Sequence, residues 1–345
     1  MDQFSAHLDR GWELVQRGDT RGAAASAKRA IELDPTSPEA HNLLGFVAAM
    51  EGEGEEAIEA YQQAIALDET YLEAMLNAAE VFISPLGAFD DAIRMCDQAL
   101  DLAEVDEELI DALLLKFDAL LAKGDLREAK AALRQVPPAP YANPAHAFLV
   151  GRANYELGDV DRARPLIEES ASNDPEHPEA QYYLGLVRDE AEDTRGATVA
   201  FLRARELDLA MGMPPWAPAR EGWEKLASET FARLTPLLSR HLAGCDVFIS
   251  DVPGVELVAD GVDPRALVLL DGFDDEDEDV SPDWGTSGRR GVARARRVFV
   301  YAINVARQAG SEDEIEAELL HALEQEVTVS FLEPEQAERS SHELN

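Results

Sequence analysis

Cysteine is nearly missing from this chain: Cys96 and Cys245 are the only two in 345 residues, and neither stands in a CxxC spacing. Neither a disulfide framework nor a cysteine metal site is expected. Positive charge is scarce as well, with 30 Lys and Arg against 69 Asp and Glu, a formal net charge of −39. Such a field repels nucleic-acid phosphates and anionic membranes and favours a basic partner. Long apolar runs are also absent: no stretch approaches the roughly 20 apolar residues of a membrane-spanning helix. The opening Met1-Asp2-Gln3-Phe4-Ser5 lacks the basic-then-apolar pattern of a secretory signal. The expectation is a cytoplasmic protein with no membrane span, no nucleic-acid ligand and no cofactor. Apolar residues, by contrast, make up 46% of the chain, enough for well-formed cores.

Self-comparison finds a repeat. Asp34-Pro35-Thr36-Ser37-Pro38-Glu39-Ala40 returns as Asp174-Pro175-Glu176-His177-Pro178-Glu179-Ala180, and the two copies lead into Leu44-Gly45 and Leu184-Gly185. Between these landmarks helical hairpins recur at a period of about 34 residues. Small residues fall where two helices must touch: Gly11, Gly45, Gly151 and Gly185 on first helices, and Ala23, Ala57, Ala92, Ala129, Ala163 and Ala197 on second helices. Gly18-Asp19, Gly52-Glu53-Gly54, Lys123-Gly124-Asp125 and Gly158-Asp159 supply the turns.

With a further small residue late in the second helix (Ala30, Ala64, Ala99, Ala204) and Asp-Pro closing a repeat, residues 4–211 resemble the tetratricopeptide repeat family. Six repeats are counted, at 4–37, 38–71, 72–106, 110–143, 144–177 and 178–211. The fourth departs most, with Phe117 at a usually small position and Val136-Pro137-Pro138-Ala139-Pro140 at its exit. The resemblance implies an α-solenoid whose first helices line a groove for a protein or peptide partner. Hairpin register puts Asn42, Phe46, Phe148, Arg152, Tyr155 and Tyr182 on that face, where aromatic anchors beside polar groups suit a peptide. Packing between adjacent repeats is the competing use of the same side chains. A grip on a peptide carboxylate through paired lysine and asparagine is not expected, because Leu8 and His41, not lysines, stand beside Asn42.

The period stops at Met211, and prolines mark a linker over 212–220 before a second domain at 221–338 and a tail at 339–345. Residues 221–242 read as one helix. Residues 245–250 and 298–301 are strand-like in β-branched and aromatic content, 267–270 read as a strand or a short helix, and a last helix runs from about 312 to 329 with Ser311 as N-cap. Ile315, Leu319, Leu323 and Val327 form its core stripe, with His321 and Gln325 together on nearly the opposite face.

This order of elements is similar to minimal zincin-like metallopeptidase domains of bacteria, and the fold class expected is mainly α, a tetratricopeptide solenoid followed by a small α+β zincin-like domain. In that family the final helix carries H-E-x-x-H, two zinc-binding histidines and a glutamate base. Here the stretch reads His321-Ala322-Leu323-Glu324-Gln325. Ala322 cannot accept a proton from a metal-bound water, and the Gln325 amide is a weak ligand. The resemblance thus implies a degenerate, catalytically inactive site with no metal, and an adaptor or scaffold in function; a zinc peptidase with an atypical site whose repeats recruit substrate is the alternative. His321 reads equally as a solvent-facing histidine. The acidic loop at 271–279 lacks the ligand order of a calcium-binding hand. Its carboxylates, near Arg289, Arg290, Arg294, Arg296 and Arg297, suggest internal neutralisation.

Overall fold

A computed structural model describes residues 2–274 and 293–332; Arg289, Arg290, His342, most of the acidic loop and the tail lie outside the described residues. Contacts gather into two compact units, Met1–Asn173 and Asp174–Asn345.

The first unit is five antiparallel helical hairpins: α1 (Gln3–Gln16) with α2 (Thr20–Leu33), α3 (Pro38–Met50) with α4 (Gly54–Leu67), α5 (Leu72–Ile83) with α6 (Phe89–Leu102), α7 (Asp106–Lys123) with α8 (Leu126–Leu133), and α9 (Pro144–Glu156) with α10 (Val160–Asn173). The helix starts follow from local chemistry. Asp19, Ser37 and Asn143 cap α2, α3 and α9 by accepting from Gly22, Ala40 and Ala145 amides. Pro38 and Pro144 then occupy first-turn positions where no N–H is needed.

Close approach of the two helices accounts for the small residues. Ala23, Ala57, Ala92, Ala129 and Ala163 are all fully buried, and a Cβ on Gly45 would sit 2.7 Å from the Tyr61 ring. Phe117 fills the core of the fourth hairpin. That hairpin is asymmetric: α7 begins at Asp106, ahead of the expected boundary, and α8 stops at Leu133 before the prolines are reached.

The second unit opens with a sixth hairpin, α11 (Pro178–Asp189) and α12 (Thr194–Met211). It continues with α13 (Arg220–Arg233), the short α14 (Pro236–Ser239), β1 (Asp246–Ser250), α15 (Val255–Ala259), β2 (Val268–Asp274), β3 (Arg294–Tyr301), α16 (Ala302–Ala309) and α17 (Ile315–Val327). The expected single helix over 221–242 is broken. Pro236 disfavours helical backbone at Thr235, which turns extended, and the chain restarts one residue later. The three strands form one sheet in the order β1-β3-β2, with β1 parallel and β2 antiparallel to β3. Of residues 267–270, Val268, Leu269 and Leu270 thus join a strand, with Leu267 just ahead of it. The last helix starts at Ile315, and its N-cap position is Glu314, with no side-chain cap bond, so Ser311 is not the cap. Its stripe of Ile315, Leu319, Leu323 and Val327 is buried with Trp223, Leu270, Val298, Val300 and Val305 in one core.

Candidate functional site

First helices of the first unit touch in succession, α1 on α3, α3 on α5, α5 on α7 and α7 on α9. Equivalent residues of these helices therefore form a row: Trp12, Phe46, Glu80, Asp118 and Arg152. Half-buried Trp12 and Phe46 meet edge to face, ring centroids 5.5 Å apart. Glu80 is exposed, and with Glu73 it adds to the burial that pushes the Tyr61 hydroxyl up from its ordinary value.

Further along the row the polar groups are committed to each other. Arg152 Nη2 reaches both oxygens of Asp118, at 2.9 and 3.0 Å, and its Nε lies 3.5 Å from Glu156. Burial still holds the Asp118 carboxyl above the usual range, against the pull of Arg152. Asn42 is wholly buried. Its amide donates to the Tyr71 hydroxyl and Glu73, both at 3.3 Å, and accepts from Asn77 at 3.1 Å. The residue bridges its hairpin to the next. Phe148 is buried and Tyr155 half-buried. Of the expected groove residues in this unit, Phe46 thus joins Trp12 on an aromatic step, while Asn42 and Arg152 hold neighbouring repeats together. Trp12 escaped the sequence reading, although its signal was present: it precedes Phe46 by one repeat period.

Tyr182 belongs to the second unit and is engaged there. Its hydroxyl donates to Asp263 at 2.8 Å, and the Arg265 guanidinium lies 4.4 Å over its ring. Burial, then Asp263, raises the pKa of that hydroxyl. Arg265 also pairs with Glu179 at 2.7 Å and with Asp208 at 3.0 Å, and Arg307 reaches Asp208 at 3.1 Å. Asp208 is 4% exposed, so its charge is met by two guanidinium groups. Arg307 further donates to the Gly212 carbonyl and Trp216 to that of Ala306, so the proline-rich segment after α12 is tied to α16.

On α17, His321 and Gln325 are exposed side by side, one turn apart. They line a cleft of about 630 Å³ with Leu267 and Val268 of the β2 edge. Ala322 also borders it, but at 7% exposure its methyl belongs to the core. Glu326 is half-buried; burial raises its pKa, offset in part by a bond from the Leu270 amide. Buried His241 is used elsewhere, stacked on Phe331 at 4.6 Å with Nδ1 2.8 Å from the Ala293 carbonyl oxygen. Among the described residues no three His, Cys, Asp or Glu side chains gather as a metal set. The expected neutralisation is seen at Arg297 on Asp271 at 2.6 Å, directly across the β2–β3 ladder. Among the described residues no helix is long and apolar enough to cross a membrane.

The sequence model of the tetratricopeptide repeat matches residues 8–71, 114–171 and 148–210. Among solved structures, the chain is similar to Pseudomonas aeruginosa pilF at 19% identity, covering 66% of this chain and 97% of that one with a TM-score of 0.51. It is also similar to PilW, described as a widely conserved type IV pilus biogenesis factor, at 17% identity, 59% and 92% coverage and a TM-score of 0.50. At such identities the likeness speaks to fold alone: a mainly helical chain whose hairpins resemble tetratricopeptide solenoids, with a small three-stranded sheet in its C-terminal region. No curated protein matches.

Proposed function

We propose that this chain is a protein-interaction scaffold whose repeats hold a peptide or protein segment on the row of first helices, centred on Trp12 and Phe46. The observation that carries the reading is the contrast along that row. Asn42, Asp118 and Arg152 are bound by neighbouring repeats, whereas the aromatic pair stays half-buried beside exposed Glu80. Aromatic anchors with little side-chain freedom are the residues on which binding energy concentrates. The negative field adds a preference for a basic segment. Trp12→Ala with Phe46→Ala is expected to weaken capture of partner from cytoplasmic extract by at least about tenfold, the loss of one hot spot, with helicity unchanged. Undiminished capture by a folded double variant would sink this reading.

In the finer reading, the C-terminal part is a zincin-like module without catalysis. The support is an antiparallel edge strand facing the helix that bears His321, with Ala322 in the place of a base and Gln325 in the place of a second imidazole. One imidazole and a neutral amide fall short of the three protein ligands of catalytic zinc. Elemental analysis of protein purified without chelators is expected to find no stoichiometric zinc. Near one zinc per chain, lost on His321→Ala, would favour a metallopeptidase.

A further inference from the structure

The first unit carries a second groove, on the other side of α3 from the aromatic row. It has a volume of about 490 Å³ and is bounded by α2, α3 and α4. His41, Leu44 and Ala48 of α3, with Glu51 at its C-cap, face it. At about 100° per residue, that stripe lies roughly 150° round the helix from Asn42 and Phe46. The floor is apolar, from Leu44, Val47, Ala48 and Ala60. The rim is not: Glu51, Glu53, Glu56 and Glu59 stand round it, all exposed, with Lys28 of α2 the one lysine or arginine among the lining residues. None of the four carboxylates is ion-paired with a described basic side chain, and Glu53, Glu56 and Glu59 recur every third residue along one edge.

We infer that this groove is a docking surface for a basic amphipathic segment of another protein, with an apolar side chain on the floor and flanking lysines or arginines on the glutamates. The floor explains why an apolar residue would leave water there. The unpaired rim explains why its neighbours must be cationic, and makes a second copy of this acidic chain a poor occupant. This surface is independent of the aromatic row, so either can fail alone.

The test uses the full chain and a short labelled peptide with leucines on one face and lysines on both flanks, read by fluorescence anisotropy. Glu56→Lys with Glu59→Lys is expected to weaken binding by about tenfold or more, and 0.15 M salt to weaken it further. Glu69→Lys with Glu168→Lys changes the net charge equally, at exposed positions outside the groove lining, and is expected to cost less than about twofold. Both pairs are exposed, so helicity should hold in each variant. A peptide with serine for leucine is expected to lose binding; equal binding would reduce the effect to general charge attraction and overturn the groove. So would equal losses in the two charge-reversed pairs, or absence of binding by the leucine peptide. Loss of binding in Trp12→Ala with Phe46→Ala would move the peptide to the aromatic row. Dimers of the unmodified chain that dissociate on Glu56→Lys with Glu59→Lys would replace the foreign segment by a second copy.

Discussion

The fifth and sixth hairpins are built from the same repeat but closed by different means. In the first unit a hairpin is held largely by apolar burial of small residues against its neighbours, with Ala129, Ala153 and Val150 in one core shared by the fourth and fifth. The sixth hairpin is followed by a domain of another shape. There α12 and α11 meet the C-terminal sequence through Asp208, Arg265, Arg307, Glu179, Tyr182 and Asp263. The lesson is that a repeat surface without a repeat-shaped neighbour can be closed by directional polar contacts, which fulfil the capping that solenoids need. Apolar closure tolerates small shifts. Ionic closure fails when one member is missing, because the other charges stay partly buried without partners.

Truncation tests this difference most severely. A chain ending at Asn173 keeps a whole unit and is expected to remain helical and cooperative. A chain ending at Met211 strips Asp208 of both guanidinium partners, so amide exchange in 178–211 is expected to rise by about two orders of magnitude or more relative to the full chain, a sign of local opening. Equal protection in both settings would show that the sixth hairpin needs only its own packing. Within the intact chain, Asp208→Ala leaves Arg265 and Arg307 facing each other. Breaking a buried pair costs about 3 kcal/mol at the lower end of its range, which suits guanidinium groups that retain some exposure. Chemical denaturation followed by hydrogen exchange should place that loss in the second unit and leave the first unmoved. A loss spread over both would dissolve the comparison.

A smaller effect is expected from Arg152→Ala in the first unit, about 1 kcal/mol, since both partners are partly solvated. Its pH dependence has a definite sign. Asp118 already has a folded pKa raised by burial, and removing Arg152 raises it further. A raised carboxyl favours the folded state when protonated, and that benefit is lost as pH rises through the folded value. The deficit of Arg152→Ala is therefore largest at neutral pH and shrinks as pH falls towards the ordinary carboxylate value. Urea titrations at neutral and acidic pH check this; a deficit that grows on acidification would contradict the burial of Asp118.

Much of the fold was legible because a period exposes it. Ala23, Ala57, Ala92, Ala129, Ala163 and Ala197 were read as contact residues from spacing, and all are buried. Side chains whose partners lie in another element were not legible. The Asn42 amide depends on Tyr71, Glu73 and Asn77 of the next repeat, and Tyr182 on Asp263, 81 residues away. Register identifies a face but not what covers it. In the C-terminal part, Pro236 did carry the signal that splits the helix. By contrast α16 begins directly after β3 with no turn residue between Tyr301 and Ala302, so strand and helix run together in the sequence.

The smallest effect is expected on α17, at His321, and it sharpens the contrast between groups that close a surface and groups that only stand on it. His321 is exposed, and its neighbour Ala322 is core. His321→Ala removes no described hydrogen bond and opens no cavity, so its stability should stay within about 0.5 kcal/mol of the unmodified chain. Ala322→Glu forces a carboxylate from a core position towards the cleft, and is expected to cost about 1–3 kcal/mol through overpacking and lost burial. If His321 held a metal, the order would reverse: binding would stabilise the folded state by mass action, and His321→Ala would lower the melting temperature in protein purified with zinc but not after chelation. Differential scanning calorimetry of both variants, with and without added zinc, distinguishes the two. A zinc-dependent upward shift in the unmodified chain, abolished by His321→Ala, would turn an idle surface histidine into a ligand.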